Sequence, residues 1–520
     1  MATSFDSSQP TGSRNLRFRD FVLNFMGDAP VWYKQTIVGF LTLNLLLFGV
    51  WKLAPVFGFE DYVTTIKMVA GWIIVLQFIF TLAMALQCYP LQPGGLIAIQ
   101  AIAMGLASSA TVYTEVKSGL KVILLLMFMV AGVFFMKDLL LWIFTKIFVN
   151  VRSKLVISVL FMFVAAILSA FLDALTVIAV VITIGVGFAN VVDGLLKDES
   201  QFRNTASREQ FNEDRQQFYH FLRNVMMHAA IGTALGGVCT LVGEPQNLLI
   251  GGYLEWEFIQ FIVEMSIVTM PVFAIGLLTC VTLESTKWFS FGAKAPESIL
   301  RVLKQHDDEV SAKFLGRDKA RLIIQGLAVV FLVVGLSLQW AEVGLIGLSI
   351  IVIQTAFNGV IREHDLGPAF EEALPFTALL VVFFAIVAVI HDQHLFSPAL
   401  AYILSLDPSV QPGMFYIANG ILSAISDNVF VATVYIKEVH AAFMDGNIDR
   451  ELFDKLGVAV NTGTNIPSVA TPNGQAAFLF LLTSSLAPRI RLSYMRMVYM
   501  ALPYTITLGV TGWIMVHFFL

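Results

Sequence analysis

Long uncharged apolar stretches alternate with short polar interruptions along most of this chain, in place of the short amphipathic periods of a soluble fold. Apolar spans run approximately 35 to 53, 66 to 88, 94 to 113, 119 to 149, 258 to 283, 322 to 341, 343 to 361, 375 to 404 and 495 to 520. About 20 apolar residues carry a helix across a bilayer. Long runs without strict alternation favour helices over a barrel. Four further tracts break the plan. Leu155 to Val192 is interrupted by Asp173, and Met414 to Ile436 by Asp427. The segment Phe221 to Leu249 is broken at Gly243-Glu244-Pro245-Gln246-Asn247, and Leu452 to Leu486 at a Pro/Asn/Gly cluster. The first two are apolar tracts interrupted by a single charge, and the last two carry helix breakers in mid-segment.

The second half repeats the first. Ser169 to Val177 (SAFLDALTV) matches Ser423 to Val431 (SAISDNVFV), placing Asp173 on Asp427 at an offset of 254 residues, and Lys137-Asp138 falls on His391-Asp392 at the same offset. Gly232 to Gly243 (GTALGGVCTLVG) matches Gly463 to Gly474 (GTNIPSVATPNG) at an offset of 231. A longer polar loop in the first half absorbs the difference, as surface loops tolerate. One leading span and two units of five make about 11 spans plus two hairpins. Five crossings per unit invert one half relative to the other. The fold class expected from the span count and the duplication is an all-α polytopic membrane protein of two inverted-topology repeats. The organisation reads as an interfacial segment over 1–34, a first span and connection over 35–65, repeat 1 over 66–284, a linker over 285–321 and repeat 2 over 322–520. Leu16 to Met26 alternates basic and apolar residues like a short helix lying on the membrane surface.

Composition agrees. Hydrophobic residues make up 57% of the 520 and charged residues 13%, against about 25% charged in a soluble domain. A net charge of −5 argues against a nucleic-acid partner and leaves membrane lipids as the expected surroundings. Cys88, Cys239 and Cys280 suggest no disulfide framework, and the polar start from Met1 to Thr11 suggests no removable signal peptide. Arg14, Arg17, Arg19 and Lys34, then Lys146, Arg152 and Lys154, the linker, and Arg489, Arg491 and Arg496 all fall on one side in the eleven-span arrangement. The excess of basic loops on the cytoplasmic side then sets a cytoplasmic N-terminus.

Candidate chemistry centres on Asp173 and Asp427. An aspartate at the centre of a membrane helix costs roughly 2.5–3.5 kcal/mol on insertion scales, and such residues mark ion or proton pathways. Asp173 is the only charge between Lys154 and Asp193, and Asp427 the only one between Asp407 and Lys437. Unwound backbone near Pro245, Pro467 and Pro472 exposes carbonyl oxygens, which with Asn and Thr side chains suit a hard cation. The cation- and proton-binding set is Asp173, Asp427, Asn428, Thr464, Asn465, Thr233, Glu244 and Asn247, with Ser169, Thr176, Ser423, Ser426 and Asn473 as weaker members. Glu244 is equally open to a structural reading, in which it hydrogen-bonds the broken backbone. Asp138, Asp392 and His391 stay outside this set: Lys137 beside Asp138 predicts a local ion pair, and His391 with His394 a helix cap near the water interface.

LSAFLDALTV, GGVCTLVGEPQNL, NTGTNIPSVATPNGQAAFLFLL and SSLAPRIRLSYMRMVYMALPY resemble the NhaB family of bacterial sodium/proton antiporters, from Trp32-Tyr33-Lys34 to the last span. The resemblance implies a multi-pass protein of the bacterial inner membrane that exchanges sodium or lithium for protons without a cofactor. It also implies a re-entrant hairpin and a broken helix in each repeat, a scaffold, a mobile transport domain and a homodimer. Symporters of the same superfamily carry a Ser-Asn-Thr signature at each hairpin tip. Here the tips read Leu172-Asp173-Ala174 and Ser426-Asp427-Asn428. A fixed negative charge at the tip repels an anionic solute and attracts a cation.

The mechanism expected is competition. Burial disfavours the charged form of a carboxyl whose ordinary pKa is about 3.9, so sodium and a proton contend for the same oxygens. Movement of the transport domain then alternates access. Sodium-coupled uptake of a small solute is the nearest alternative. An intramembrane aspartyl protease is a remote one, since Asp427 follows Ala424-Ile425-Ser426 in place of a Gly-x-Gly-Asp motif. No phosphate-binding loop is apparent, so ATP-driven pumping is not expected, zinc-ligand spacings are also absent, and the chain reads as a transporter, not an enzyme.

Overall fold

A computed structural model describes residues 18–197 and 205–520, and these contain helices and turns but no strand. Among them, eight helices are long and apolar enough to cross a membrane, or nine when Ser109–Ser118 and Leu120–Phe134, bent by 57°, count as one. Leu91–Ala103 and Val343–Asn358 are shorter apolar helices of 13 and 16 residues. Both arms of the first hairpin, Lys154–Phe171 and Ala174–Lys197, have spanning length, whereas the broken segments do not form continuous apolar helices.

Several expected spans are redrawn. The apolar run from 119 to 149 divides into the end of the bent pair and a separate helix, Lys137–Asn150. The bend has identifiable causes. Gly119 lies at the joint, where a Cβ would meet the Phe384 ring, and a π turn follows over Leu125–Met129. Gly347 lets Val343–Asn358 pack against the backbone of that turn, where a Cβ would lie 2.7 Å from the Met129 amide nitrogen, and Gly344 meets Leu124 just before it. The charged stretch expected as a loop over Asp193 to Arg223 is largely helix, because Ala174–Lys197 and Thr205–Gly237 both run beyond their apolar portions. Asp193 joins them by accepting from Arg215 at 3.1 Å and Tyr219 at 2.6 Å.

The linker also folds. Its amphipathic helix Glu297–Ala312 buries Ile299, Leu300 and Leu303, and Lys146 grips Asp307 at 2.7 Å. Of the N-terminal surface helix, Phe18–Asn24 is present and Leu16-Arg17 lie outside the described residues.

The element order is the same in both halves. In each, a hairpin turns at its aspartate, a broken segment follows, and a long helix closes the unit: Phe258–Thr286 in the first and Tyr494–Phe519 in the second. The two offsets read from sequence recur in the contacts. Ser169 donates to the Thr233 carbonyl at 2.8 Å, and Ser423 lies 2.6 Å from the Thr464 carbonyl. Thr240 donates to the Ala170 carbonyl, as Thr471 does to that of Ala424. Hairpin and broken helix touch at backbone distance, because a Cβ on Gly232 or Gly236 would overlap the carbonyls of Met162 and Ala166. Gly463 meets Tyr416 in the equivalent place. Small residues permit such close approach between membrane helices.

Candidate functional site

Each hairpin turns because its aspartate caps the outgoing arm. Leu172 ends the incoming arm at φ −123°, ψ 87°, and Asp173 Oδ2 accepts from the Thr176 amide at 3.2 Å. The Thr176 hydroxyl lies 3.5 Å from the same oxygen, at the limit of a hydrogen bond. At the second tip, Asp427 Oδ1 accepts from Val429 and Phe430 at 2.9 and 3.3 Å. Asp173 is buried and Asp427 half-buried. Both carboxylates sit at the start of a helix and accept its first free amides.

The broken segments place Glu244 and Gln475 at equivalent positions, since 231 residues separate them. Each precedes the second part of its broken helix in extended conformation, with φ −143° at Glu244 and −120° at Gln475. Pro245 fixes the first restart by occupying the first helical turn, where a missing amide does no harm. Glu244 is 6% exposed and lies within electrostatic reach of both Asp173 and Asp427, with the Gln475 side chain beside it. Glu244 Oε1 and both polar atoms of Gln475 have no hydrogen-bond partner. Buried polar atoms are rarely left so.

Amides fill the space between the two broken helices. Gln246 donates to Asn465 at 2.6 Å, and Asn465 donates to Asn247 at 3.2 Å and to the Asn461 carbonyl at 2.8 Å. Asn247 donates to the carbonyls of Gly237 and Thr240 at 2.7 and 2.6 Å. The hydroxyls of Thr233 and Thr464 turn into their own helices, donating to Ala230 at 2.8 Å and Val460 at 2.9 Å. These threonines therefore offer oxygen lone pairs only. The Ser423 hydroxyl lies 2.6 Å from both Asn428 Oδ1 and the Thr464 carbonyl, and gives its single proton to one of them. Ser426 is buried with its hydroxyl unpartnered. Asn473 reaches away, to the Ala83 carbonyl at 3.0 Å.

The predicted residues thus gather at two hairpin tips and the two breaks beside them. No three His, Cys, Asp or Glu side chains among the described residues form a metal-binding group. A sodium ion held here would draw on amide, hydroxyl and carbonyl oxygens alongside a carboxylate.

The family model for Bacterial Na+/H+ antiporter B (NhaB) matches residues 15–520. The chain belongs to the NhaB family. It is 58% identical to the Na(+)/H(+) antiporter NhaB of Saccharophagus degradans, over 94% of this chain and 96% of that one. It is 55% identical to the NhaB of Hahella chejuensis, over 95% and 98%. Among solved structures it is similar to the Alcanivorax borkumensis YdaH transporter at 15% identity, with a TM-score of 0.47 over 78% of this chain and 86% of that one.

Sequence reasoning missed several residues in this NhaB member. Gln475 was within reach, because the 231-residue offset carries Glu244 onto it. Gln246 and Asn461 carried no charge to draw notice. Glu115 is buried against Lys437, with His391 Nδ1 at 3.3 Å. His228, fully buried, joins Glu284 at 3.0 Å and Tyr504 at 2.7 Å. The local Lys137–Asp138 pair does not form: Lys137 lies 3.5 Å over the Phe134 ring, and Asp138 faces Arg321 at 3.7 Å. Asp392 accepts from the Ser108 amide at 2.8 Å and Thr111 at 2.9 Å.

Proposed function

We propose that this protein expels sodium or lithium from the bacterial cell in exchange for protons, and that Asp173 and Asp427 bind either partner in competition. The single observation that carries the reading is the pair of equivalent hairpin-tip carboxylates, each accepting amides at the start of its outgoing helix beside a broken segment. A carboxylate away from water is costly when bare, and either a proton or a sodium ion relieves that cost. In the inward-facing state cytoplasmic sodium displaces the proton. In the outward-facing state protons displace sodium.

Asn428, Thr464 and Asn465 serve the second tip and Thr233, Glu244 and Asn247 the first, through lone pairs that strip water from the ion. Each hairpin is latched to its broken helix, so the two move as one body while access alternates. We place the moving parts in two inverted halves and expect them to work as a homodimer. A transporter reading is favoured over hydrolysis because both aspartates are engaged at helix starts in a duplicated frame.

The experiment is sodium-driven proton movement in proteoliposomes containing the wild type, D173N or D427N. Each variant is expected to lose at least tenfold in rate. Wild-type rates in both would overturn the assignment.

A further inference from the structure

Four arginines gather at the end of the molecule formed by Thr205–Gly237 and the turn before Tyr494–Phe519. Arg223 is 4% exposed; one Nη donates to the Ile490 carbonyl at 3.1 Å, and its Nε has no acceptor. Arg489 donates to the Asn190 side-chain carbonyl at 2.6 Å and Arg496 to the Arg491 carbonyl at 2.9 Å, both neutral acceptors. Among the described residues no acid forms an ion pair with Arg223, Arg489, Arg491 or Arg496. His220 and Arg223 each feel the charges of Arg491 and Arg496.

A cavity of about 250 Å³ opens here, lined in part by His220, Arg489 and Arg491. The one acid on its wall, Asp193, is already taken by Arg215 at 3.1 Å and Tyr219 at 2.6 Å. Arg223 lies three and four residues beyond His220 and Tyr219, on the same helix face. Its carbonyl partner, Ile490, sits between the two lining arginines.

A buried guanidinium without a counter-charge is costly, and neighbouring cations add to the cost. An anion removes both penalties. Guanidinium groups match phosphate oxygens in pairs, and basic pockets at membrane helix ends suit lipid headgroups. We propose that this cavity binds a phosphate group, presented either by an anionic phospholipid headgroup or as free phosphate. The site is separate from the hairpin tips and takes no part in the exchange chemistry.

The test uses the full-length purified protein, stripped of lipid, with thermal unfolding as readout. One arm titrates inorganic phosphate against chloride at equal ionic strength. The other compares vesicles of phosphatidylcholine alone with vesicles containing phosphatidylglycerol. At least one anion is expected to raise the unfolding temperature by several degrees; R491Q, which removes a lining guanidinium, is expected to abolish the shift, and R223Q, behind the cavity wall, to reduce it. A response to phosphate identifies the free ion, and a response to phosphatidylglycerol alone identifies the headgroup. Should R223Q fail to fold, R491Q decides, since Arg491 is exposed and its loss leaves the core untouched. No shift with either anion, or a wild-type shift in R491Q, would overturn the proposal.

Discussion

Ser423 lies 2.6 Å from the carbonyl of Thr464, and Ser169 donates to that of Thr233 at 2.8 Å, so one side chain in each half ties a hairpin tip to the helix that breaks beside it. A hydrogen bond of this kind contributes about 1 kcal/mol net. S169A and S423A are each expected to lower stability by about that amount in denaturation of the purified protein. The double variant should lose about the sum, because the two latches share no partner.

The latch depends on close backbones. Replacing Gly236 by Ala pushes a methyl group into the Ala166 carbonyl, while Gly252 faces open space. G236A is expected to cost about 1–3 kcal/mol and to abolish transport, because overpacking moves the hairpin against its partner. G252A should cost less than about 1 kcal/mol, the helix propensity of Ala offsetting any loss. Thermal unfolding with a transport assay on the same preparations checks both.

On the proposed mechanism, Glu244 sets how steeply protons compete. Each proton displaced by sodium contributes up to about one decade in apparent sodium KM per pH unit on the acid side. E244Q keeps the side chain's shape and removes one ionisable group. The rise in sodium KM as pH falls should become shallower, while D173N and D427N lose turnover as well. Sodium titration of transport at several pH values measures the slope. An unchanged slope would confine Glu244 to a structural role.

Lys437 and Glu115 form a buried pair with His391 at hand. Breaking a buried pair from one side is costly by about 3–5 kcal/mol, because it strands a charge. K437Q is expected to destabilise the protein by roughly that amount, and K437Q combined with E115Q by less than either single change. A double-mutant cycle in chemical denaturation gives the coupling.

The breaks and the two lone acids were legible in sequence because each leaves a local mark, while the hairpin turn at each acid was implied by the family resemblance. One charge interrupts an apolar tract at Asp173 and at Asp427, and prolines punctuate the breaks at Pro245 and Pro467. The duplication was legible because polar residues coincide at two fixed offsets, and the serine and threonine latches then appear at both. Charges at span ends were not legible. Glu115 and Lys437 stand 322 residues apart and each looks like the polar edge of its own span, so only the packing shows that they meet. Hydropathy also mistook polar helix for loop over 205–223, since it measures solvent preference and carries no hydrogen-bond register. The short bent crossing at Gly119 escaped for a similar reason, as the apolar run continues through the bend.

Proton release on sodium binding tests the central claim most directly. Purified protein in weakly buffered detergent solution is mixed with sodium chloride, and the pH is followed against a choline chloride control. The wild type is expected to release protons in proportion to the sodium bound, with less release from D173N and from D427N. Sodium binding at wild-type affinity with no proton released would contradict competition for shared oxygens.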